Sequence, residues 1–407
     1  MKKFLALALA LCMVLALCAC GSSSTGSSAP AATAAPAEST EAAAPAEAEA
    51  EAEDVVVIGL GLMGPLTGPY AQYGEGAANG AEIAVNEINA MGGKYQFVFY
   101  REDDQGDPEL AVNAYNTLMD KDVKIIVGAV TSGACMAVAE VANEERVFCL
   151  TPSASNDLVP ESGNQIYQIC FTDSNQGAVS AAWVAEHRPE AKVGIIYNNA
   201  QDYSMGIRQS FLTKAAELGI EVVAESAFSD DTATDFSVQV SAMKDAGADF
   251  VFLPMYYTPA LSILTQADAA EYHPEYFGVD GMDGVLGVEG LNVDLVQGVC
   301  MLTGFDGSDP AEAVQNYVSS YKSLYNDTPN QFSADAYDAV YVLAAALEQA
   351  GITADDSAAD ICEKLIDTLQ SLGFDGITGS MTWSADGTVT KSPLAVKIQG
   401  TEYVTAD

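Results

Sequence analysis

Hydroxyls at two strand ends and one acidic loop carry most of the chemistry that this chain can offer. The apolar run 123–128 ends in Gly128-Ala-Val-Thr-Ser-Gly133, a turn that reads as a strand opening into a helix. Such a turn leaves backbone N–H groups and the hydroxyls of Thr131 and Ser132 pointing out of a sheet edge, which makes a small anion receptor. The next apolar run, 147–150, ends in Thr151-Pro-Ser-Ala-Ser155. Two adjacent strand ends then present hydroxyl-rich loops to one crevice, where open α/β sheets hold ligands. A complementary charge is available in Gly278-Val-Asp280-Gly-Met-Asp283, where Asp280 or Asp283 is either a carboxylate for an ammonium or an ordinary turn residue. Ser132 and Ser155 for a carboxylate and one of these aspartates for an ammonium would suit a zwitterion. Tyr73, Tyr203, Tyr256 and Tyr257 fall at loop or strand ends, where a ring either covers a ligand or packs into the core or rim.

Other chemistries are poorly served. Gly59-Leu-Gly61-Leu-Met-Gly64 matches the dinucleotide fingerprint, but a true phosphate turn opens directly into a helix and meets an acidic ribose ligand about 20 residues later. Here Pro65-Leu-Thr-Gly-Pro69 intervenes, and Glu102-Asp103-Asp104 lies far downstream. No G-x-S-x-G elbow, H-E-x-x-H pair or Walker loop is present. His187 and His273, the only histidines, each stand near a proline and read as surface residues. Neither is paired with a cysteine, so no metal site is expected. Nothing specific argues for an enzyme, and no cofactor is expected.

The elements that must position these loops alternate from residue 54 onward. A strand at 55–59 precedes a helix at 75–91 with an apolar face; a strand at 95–100 precedes a helix opened by Asp107-Pro108, an N-cap followed by proline at the first helical position. Strands at 123–128 and 147–150 continue the series. After residue 171 it restarts, with strands near 192–197, 220–228, 249–254, 276–278 and 298–303. Repeated strand–helix–strand units imply parallel sheets covered by helices. Helical stretches at 310–325, 332–350 and 357–372 remain, so the two α/β lobes are not contiguous in sequence.

The chain has 407 residues, 49% of them apolar, enough for two packed domains. It opens Met1-Lys-Lys, runs apolar over 4–17 and reaches Cys18-Ala-Cys20-Gly21, which has the organisation of a signal peptide. Leu17-Cys18-Ala19-Cys20 resembles a bacterial lipobox, with 1–19 as the signal and Cys20 as the lipidated residue. A diacyl anchor supplies the two chains that stable membrane attachment needs. Residues 21–53 contain only Gly, Ser, Thr, Ala, Pro and Glu, so 20–53 reads as a disordered tether. The formal charge of −41 excludes a nucleic-acid partner on electrostatic grounds. Cys135, Cys149, Cys170, Cys300 and Cys362 follow no C-x-x-C spacing and are expected as buried free thiols.

Seven motifs in order carry a family resemblance: Gly64-Pro-Leu-Thr-Gly-Pro-Tyr-Ala-Gln-Tyr-Gly74, Asp103-Asp-Gln-Gly-Asp-Pro108, Ile126-Val-Gly-Ala-Val-Thr-Ser132, Thr151-Pro-Ser-Ala-Ser155, Tyr256-Tyr-Thr258, Gly278-Val-Asp-Gly281 and Gly379-Ser-Met-Thr-Trp383. The chain from 54 to 407 resembles leucine/isoleucine/valine-binding proteins, the type I periplasmic solute-binding proteins of branched-chain amino acid ABC transporters. The resemblance implies two Rossmann-like three-layer lobes, 54–172 with 305–391 and 173–304 with 392–407, joined by a three-strand hinge. It implies that Ser132 and Ser155 hold an α-carboxylate, while Ser153 through its carbonyl, Ser155 and Asp280 take the α-ammonium. Tyr73, Tyr203 and Tyr256 would close over the ligand, with Val130 and Phe332 in the side-chain pocket and Thr131 as pocket wall. The implied partners are an amino acid, an ABC permease with its ATPase, and a membrane reached through the N-terminal lipid, for an extracytoplasmic monomer. Some relatives carry a cysteine pair that falls on Gly106 and Thr131, so that disulfide is absent. Met282 stands where many relatives have tryptophan. The same fold also serves amides, urea and small carboxylates, and sensory binding proteins.

Overall fold

The computed structural model describes residues 55–406; the signal peptide, Cys20 and the tether lie outside the described residues. The first half builds β1 (Val56–Gly64), α1 (Ala71–Met91), β2 (Tyr95–Asp103), α2 (Pro108–Met119), β3 (Ile125–Gly128), α3 (Ser132–Glu145), β4 (Phe148–Thr151), α4 (Leu158–Glu161) and β5 (Ile166–Gln168). Local chemistry explains the boundaries. The Asp107 side chain accepts from the N–H groups of Glu109 and Leu110 at the start of α2, with Pro108 where no N–H partner is needed. Gly92 ends α1 in the left-handed conformation that glycine adopts without penalty. Helix α1 starts four residues earlier than the sequence suggests, because the Gly68-Pro69 turn delivers the chain straight into its first turn.

These strands form a parallel sheet in the order β2-β1-β3-β4-β5. β3 and β4 are buried along their whole length, as strands covered on both faces should be. All three glycines of the dinucleotide-like fingerprint lie inside β1, so they form no phosphate-binding turn.

The chain then leaves for a second sheet through α5 (Asp173–His187), β6 (Lys192–Asn198), α6 (Asp202–Leu218), β7 (Glu221–Phe228), α7 (Ser237–Asp245), β8 (Phe250–Leu253), α8 (Tyr257–Ala269), β9 (Glu275–Gly278) and β10 (Cys300–Thr303). It returns to cover the first sheet with α9 (Glu312–Tyr325), α10 (Gln331–Ala350) and α11 (Ala358–Leu369), of which α10 packs on α1, β2, β3 and β4. A Cβ on Gly80 would lie 1.8 Å from the Ser333 carbonyl oxygen, so glycine is what lets α1 and α10 approach. After the small hairpin β11 (Gly373–Gly376) and β12 (Gly379–Thr382), the antiparallel strands β13 (Leu394–Gln399) and β14 (Glu402–Thr405) join the second sheet. Its order is β14-β13-β10-β9-β8-β6-β7. The molecule is thus an α/β protein with two helix-covered sheets, one parallel and one parallel except for the edge strands β13 and β14, as expected for the type I periplasmic-binding-protein fold.

Three passages link the sheets, and polar contacts from α10 tie them together. Buried Lys391 donates to Asp335 in α10, to Thr378 at 2.7 Å and to the Ile169 carbonyl at 3.2 Å. The Gly304 N–H donates to Gln331 Oε1 at 2.6 Å. Each sheet also reverses its winding direction, between β1 and β3 and between β6 and β8, and ligand crevices form outside the carboxyl ends at such points.

Candidate functional site

At the carboxyl end of β3 the chain passes through Ala129, Val130 and Thr131 into α3. Facing it, the loop after β4 is stitched to this turn by hydroxyls. Thr151 Oγ1 donates to the Ala129 carbonyl at 2.7 Å, and Ser153 Oγ donates to the Val130 carbonyl at 2.7 Å. Ser132 Oγ accepts from the Asn156 N–H at 3.2 Å, which leaves its own proton available. The two loops therefore form one braced cup whose remaining donors point outward, beside the positive end of the α3 dipole.

The second sheet supplies the opposite wall. Tyr203, in the first turn of α6, donates its hydroxyl proton to Asp280 Oδ1 and accepts from the Gly281 N–H at 3.0 Å. The Asp280 N–H donates to Gln176 Oε1 at 3.1 Å, and Gln331 Nε2 donates to the Asp280 carbonyl at 3.2 Å. Asp280 is 3% exposed, and burial pushes its carboxyl up to about 7 against the pull of the Tyr203 hydrogen bond. The shift reflects a charge taken out of water, which a cation at the site would restore to its ionised form. Asp283, the other acidic candidate of this loop, faces away: it accepts from the Gln331 N–H at 2.8 Å at the start of α10.

Aromatic side chains close the space between the walls. The Tyr73 ring packs on Phe332 with centroids 4.2 Å apart and meets Tyr256 edge-on at 5.4 Å, while Tyr203 stacks on Tyr256 at 4.7 Å. Tyr73 donates to the Gly281 carbonyl and accepts from the Tyr257 N–H at 3.2 Å, so a residue of α1 touches two loops of the second sheet. Gly281 is obligatory there, since a Cβ would lie 2.6 Å from the Tyr203 hydroxyl oxygen and 2.9 Å from the Met255 carbonyl oxygen.

Eight of the nine residues expected at the site, Tyr73, Val130, Ser132, Ser153, Tyr203, Tyr256, Asp280 and Phe332, line one cavity together with Thr131 and Gly281. Its free volume is ≈ 10 Å³, about the size of a single water site. No lysine or arginine lines it. Ser155 stands apart: it is fully buried behind the cup and its hydroxyl donates to Asp173 Oδ1 at 2.7 Å. A wider groove of ≈ 280 Å³ lies near His273 and Glu275, at the amino ends of β9 and β10, away from every one of these loops.

Asp173 was not anticipated. It opens α5, is completely buried and also accepts from Asn156 Nδ2 at 3.0 Å; burial, reinforced by the nearby charge of Asp280, pushes its carboxyl well above the usual range. An aspartate immediately after the buried strand region 166–171, on the same side as the two hydroxyl loops, is the signal that marks it. Among the described residues no group of three or more histidines, cysteines or acidic residues is placed to hold a metal. The five cysteines are free and buried, and no described helix is long and apolar enough to cross a membrane.

The sequence pattern of the periplasmic binding protein family matches residues 57–401. The chain is 30% identical over 334 residues to Leu/Ile/Val-binding protein homolog 3 of Brucella melitensis, covering 81% of this chain and 87% of that one. It is 29% identical to the leucine-, isoleucine-, valine-, threonine-, and alanine-binding protein of Pseudomonas aeruginosa, over 81% of this chain and 86% of that one. The branched-chain amino acid transporter substrate binding protein LivJ of Streptococcus pneumoniae, solved in complex with isoleucine, superposes with a TM-score of 0.77 at 27% identity, covering 85% of this chain and 97% of that one. With the match spanning nearly all described residues and both sheets, the chain belongs to the periplasmic binding protein family and is similar to its Leu/Ile/Val-binding proteins.

Proposed function

We propose that this protein captures a free amino acid between two lobes, 54–172 with 305–391 and 173–304 with 392–407, and hands it to an ABC permease and its ATPase. The α-carboxylate sits in the cup, on Ser132 and the N–H groups of the 151–155 loop, Ser155 contributing through its backbone because its hydroxyl serves Asp173. The α-ammonium meets Asp280 and the Ser153 carbonyl, with Tyr203 holding the carboxylate in place. Tyr73 and Tyr256 cover the ligand, and Val130 and Phe332 flank its side chain. Closure is a hinge motion favoured by contacts that only the closed lobes complete. The protein works outside the cytoplasm as a monomer, held to the membrane by lipid on Cys20.

One observation carries this reading: a buried carboxylate, Asp280, faces a cavity lined by no basic residue. Such a group calls for a cation, and the cup opposite calls for an anion; a zwitterion carries both. A thermal-shift panel of L-amino acids against amides, urea and simple carboxylates tests it. Stabilisation by amino acids alone is the expected result; stabilisation by amides or carboxylates alone would overturn the assignment.

A further inference from the structure

The loop that builds half of the cup is fastened to the start of α5. The Asp173 N–H donates to the Ser155 carbonyl at 2.9 Å, and the two Asp173 carboxylate oxygens accept from the Ser155 hydroxyl at 2.7 Å and from Asn156 Nδ2 at 3.0 Å. One residue further along each segment the roles reverse: Asp157 accepts from the Ser174 N–H at 2.9 Å and from the Ser174 hydroxyl at 2.6 Å. The Asn156 N–H in turn donates to Ser132 Oγ at 3.2 Å, so Asp173 reaches Ser132 through a single intervening residue.

The two fastenings differ in burial. The one between Asp157 and Ser174 is exposed, whereas Asp173 and Ser155 are fully buried. Taking a carboxylate out of water is costly, and an apolar side chain of similar volume would serve the fold as well or better. Asp173 lies behind the cavity lining rather than in it, and both of its side-chain hydrogen bonds go to the cup loop. Helix α6 presses on the same junction: a Cβ on Gly206 would lie 3.3 Å from Asp173 Oδ2 and 3.2 Å from Asn156 Nδ2. Gly206 stands one turn beyond Tyr203, whose hydroxyl holds Asp280, so one helix start backs both ends of the site.

Resting on the amino-acid reading above, we propose that Asp173 is a positioning residue that holds the loop 153–156, and through Asn156 the Ser132 hydroxyl, in the geometry that receives the ligand's α-carboxylate. It acts through Ser155 and Asn156, not by touching the ligand. Contacts of this kind lose their worth when the groups behind them are left loose. Without the Asp173 acceptor, the donors of Ser155 and Asn156 stay buried and unpaired, and the loop shifts to satisfy them. The effect belongs to the anionic end of the ligand, because Asp280 is held separately by Tyr203, Gln176 and Gln331.

Titration calorimetry of the full chain with L-leucine, L-valine and L-alanine, each beside its carboxamide, tests the proposal on the native protein, Asp173→Asn and Ser155→Ala. The carboxamide keeps the ammonium and lacks the anionic end. Asp173→Asn should weaken the amino acids at least about tenfold and the carboxamides far less, so the preference for acid over amide shrinks; a merely structural role would weaken both alike. Ser155→Ala keeps the Asp173 charge while removing a hydrogen bond, and it should narrow the same preference, including when Asp173→Asn does not fold. The double variant should be little worse than the weaker-binding single variant. Equal losses for acid and amide would overturn the proposal, as would an unchanged preference in Asp173→Asn. A loss in Asp173→Asn with none in Ser155→Ala would overturn it too, since the charge of Asp173 and not its hold on the cup would then be acting. If the native protein binds no amino acid, the proposed function fails along with this inference; if it binds them and neither variant alters the preference, only the inference fails.

Discussion

Replacing Asp280 by asparagine should move ligand affinity and ligand-free stability in opposite directions. Asparagine keeps an acceptor for the Tyr203 hydroxyl, so the hydrogen bond that fixes the loop survives while the charge is lost. Breaking a buried ion pair by removing one partner costs about 3–5 kcal/mol, which is a loss of roughly two to three and a half decades in affinity. Without ligand the sign reverses. Burial raises the Asp280 carboxyl from 3.8 to about 7, and a shift of that size is worth about 4 kcal/mol at 1.36 kcal/mol per unit. A raised carboxyl contributes no penalty below its unfolded value, accumulates one as pH climbs toward its folded value, and carries it in full above. The ligand-free variant should therefore melt about 5 °C higher than the native protein at pH 8 and at the same temperature near pH 4. Affinity of the native protein should fall about tenfold per pH unit below 7, because the proton must leave before the ammonium pairs, and the variant should lose that dependence. Asp335 raises the same group and Asp280 in turn raises Asp173, so the midpoint belongs to the cluster as well as to Asp280. Calorimetry and melting curves across this range decide it. An unchanged affinity, or a variant less stable than the native protein at pH 8, would refute the assignment of Asp280 as the buried counter-charge.

Two further substitutions probe the frame. Gly281→Ala drives a methyl group against the Tyr203 hydroxyl oxygen and the Met255 carbonyl, and overpacking of this kind costs about 1–3 kcal/mol; amino-acid affinity should drop at least about tenfold in titration while the far-UV spectrum stays native. Lys391→Ala strands buried Asp335 without its partner and should destabilise the fold by about 3–5 kcal/mol in denaturant titration, whereas Lys391→Met combined with Asp335→Leu should recover most of that loss.

The legible part of this protein is the part where local chemistry and ligand chemistry coincide. Gly/Ser/Thr turns follow the apolar runs at β3 and β4, and the order of those runs places both turns at the carboxyl edge of one sheet. Asp280 stands out for a similar reason, as a carboxylate between glycines after a short strand. What stays hidden depends on partners distant in sequence. The hydroxyl of Ser155 reads as a ligand group until Asp173, 18 residues on, takes its proton. Asp283 and Asp280 are indistinguishable by spacing, and only the approach of α10, whose first N–H binds Asp283, separates them. Tyr73 reads as a loop residue, whereas it stands in the first turn of α1 with its hydroxyl on the Gly281 carbonyl of the second sheet. Each of these depends on a long-range contact that spacing along the chain does not encode.

The charge pattern also explains how so acidic a protein could hold a carboxylate. A formal charge of −41 opposes the approach of any simple anion, and the cavity holds no lysine or arginine to offset it. A zwitterion has no net charge, so the long-range field neither attracts nor excludes it. At short range the carboxylate end would meet dipoles: the first N–H groups of α3 and the free proton of Ser132, which attract an anion without requiring a buried cation. The other end would meet Asp280, whose charge in turn raises the proton affinity of Asp173. A ligand carrying only a carboxylate would leave that pair without a cation and would itself add a third negative group; a ligand carrying only an ammonium would leave the cup without an anion. On the proposed reading, dipoles at one end and a reluctant carboxylate at the other would select for both groups on one small molecule, and the discrimination would come from what each incomplete ligand leaves unpaired.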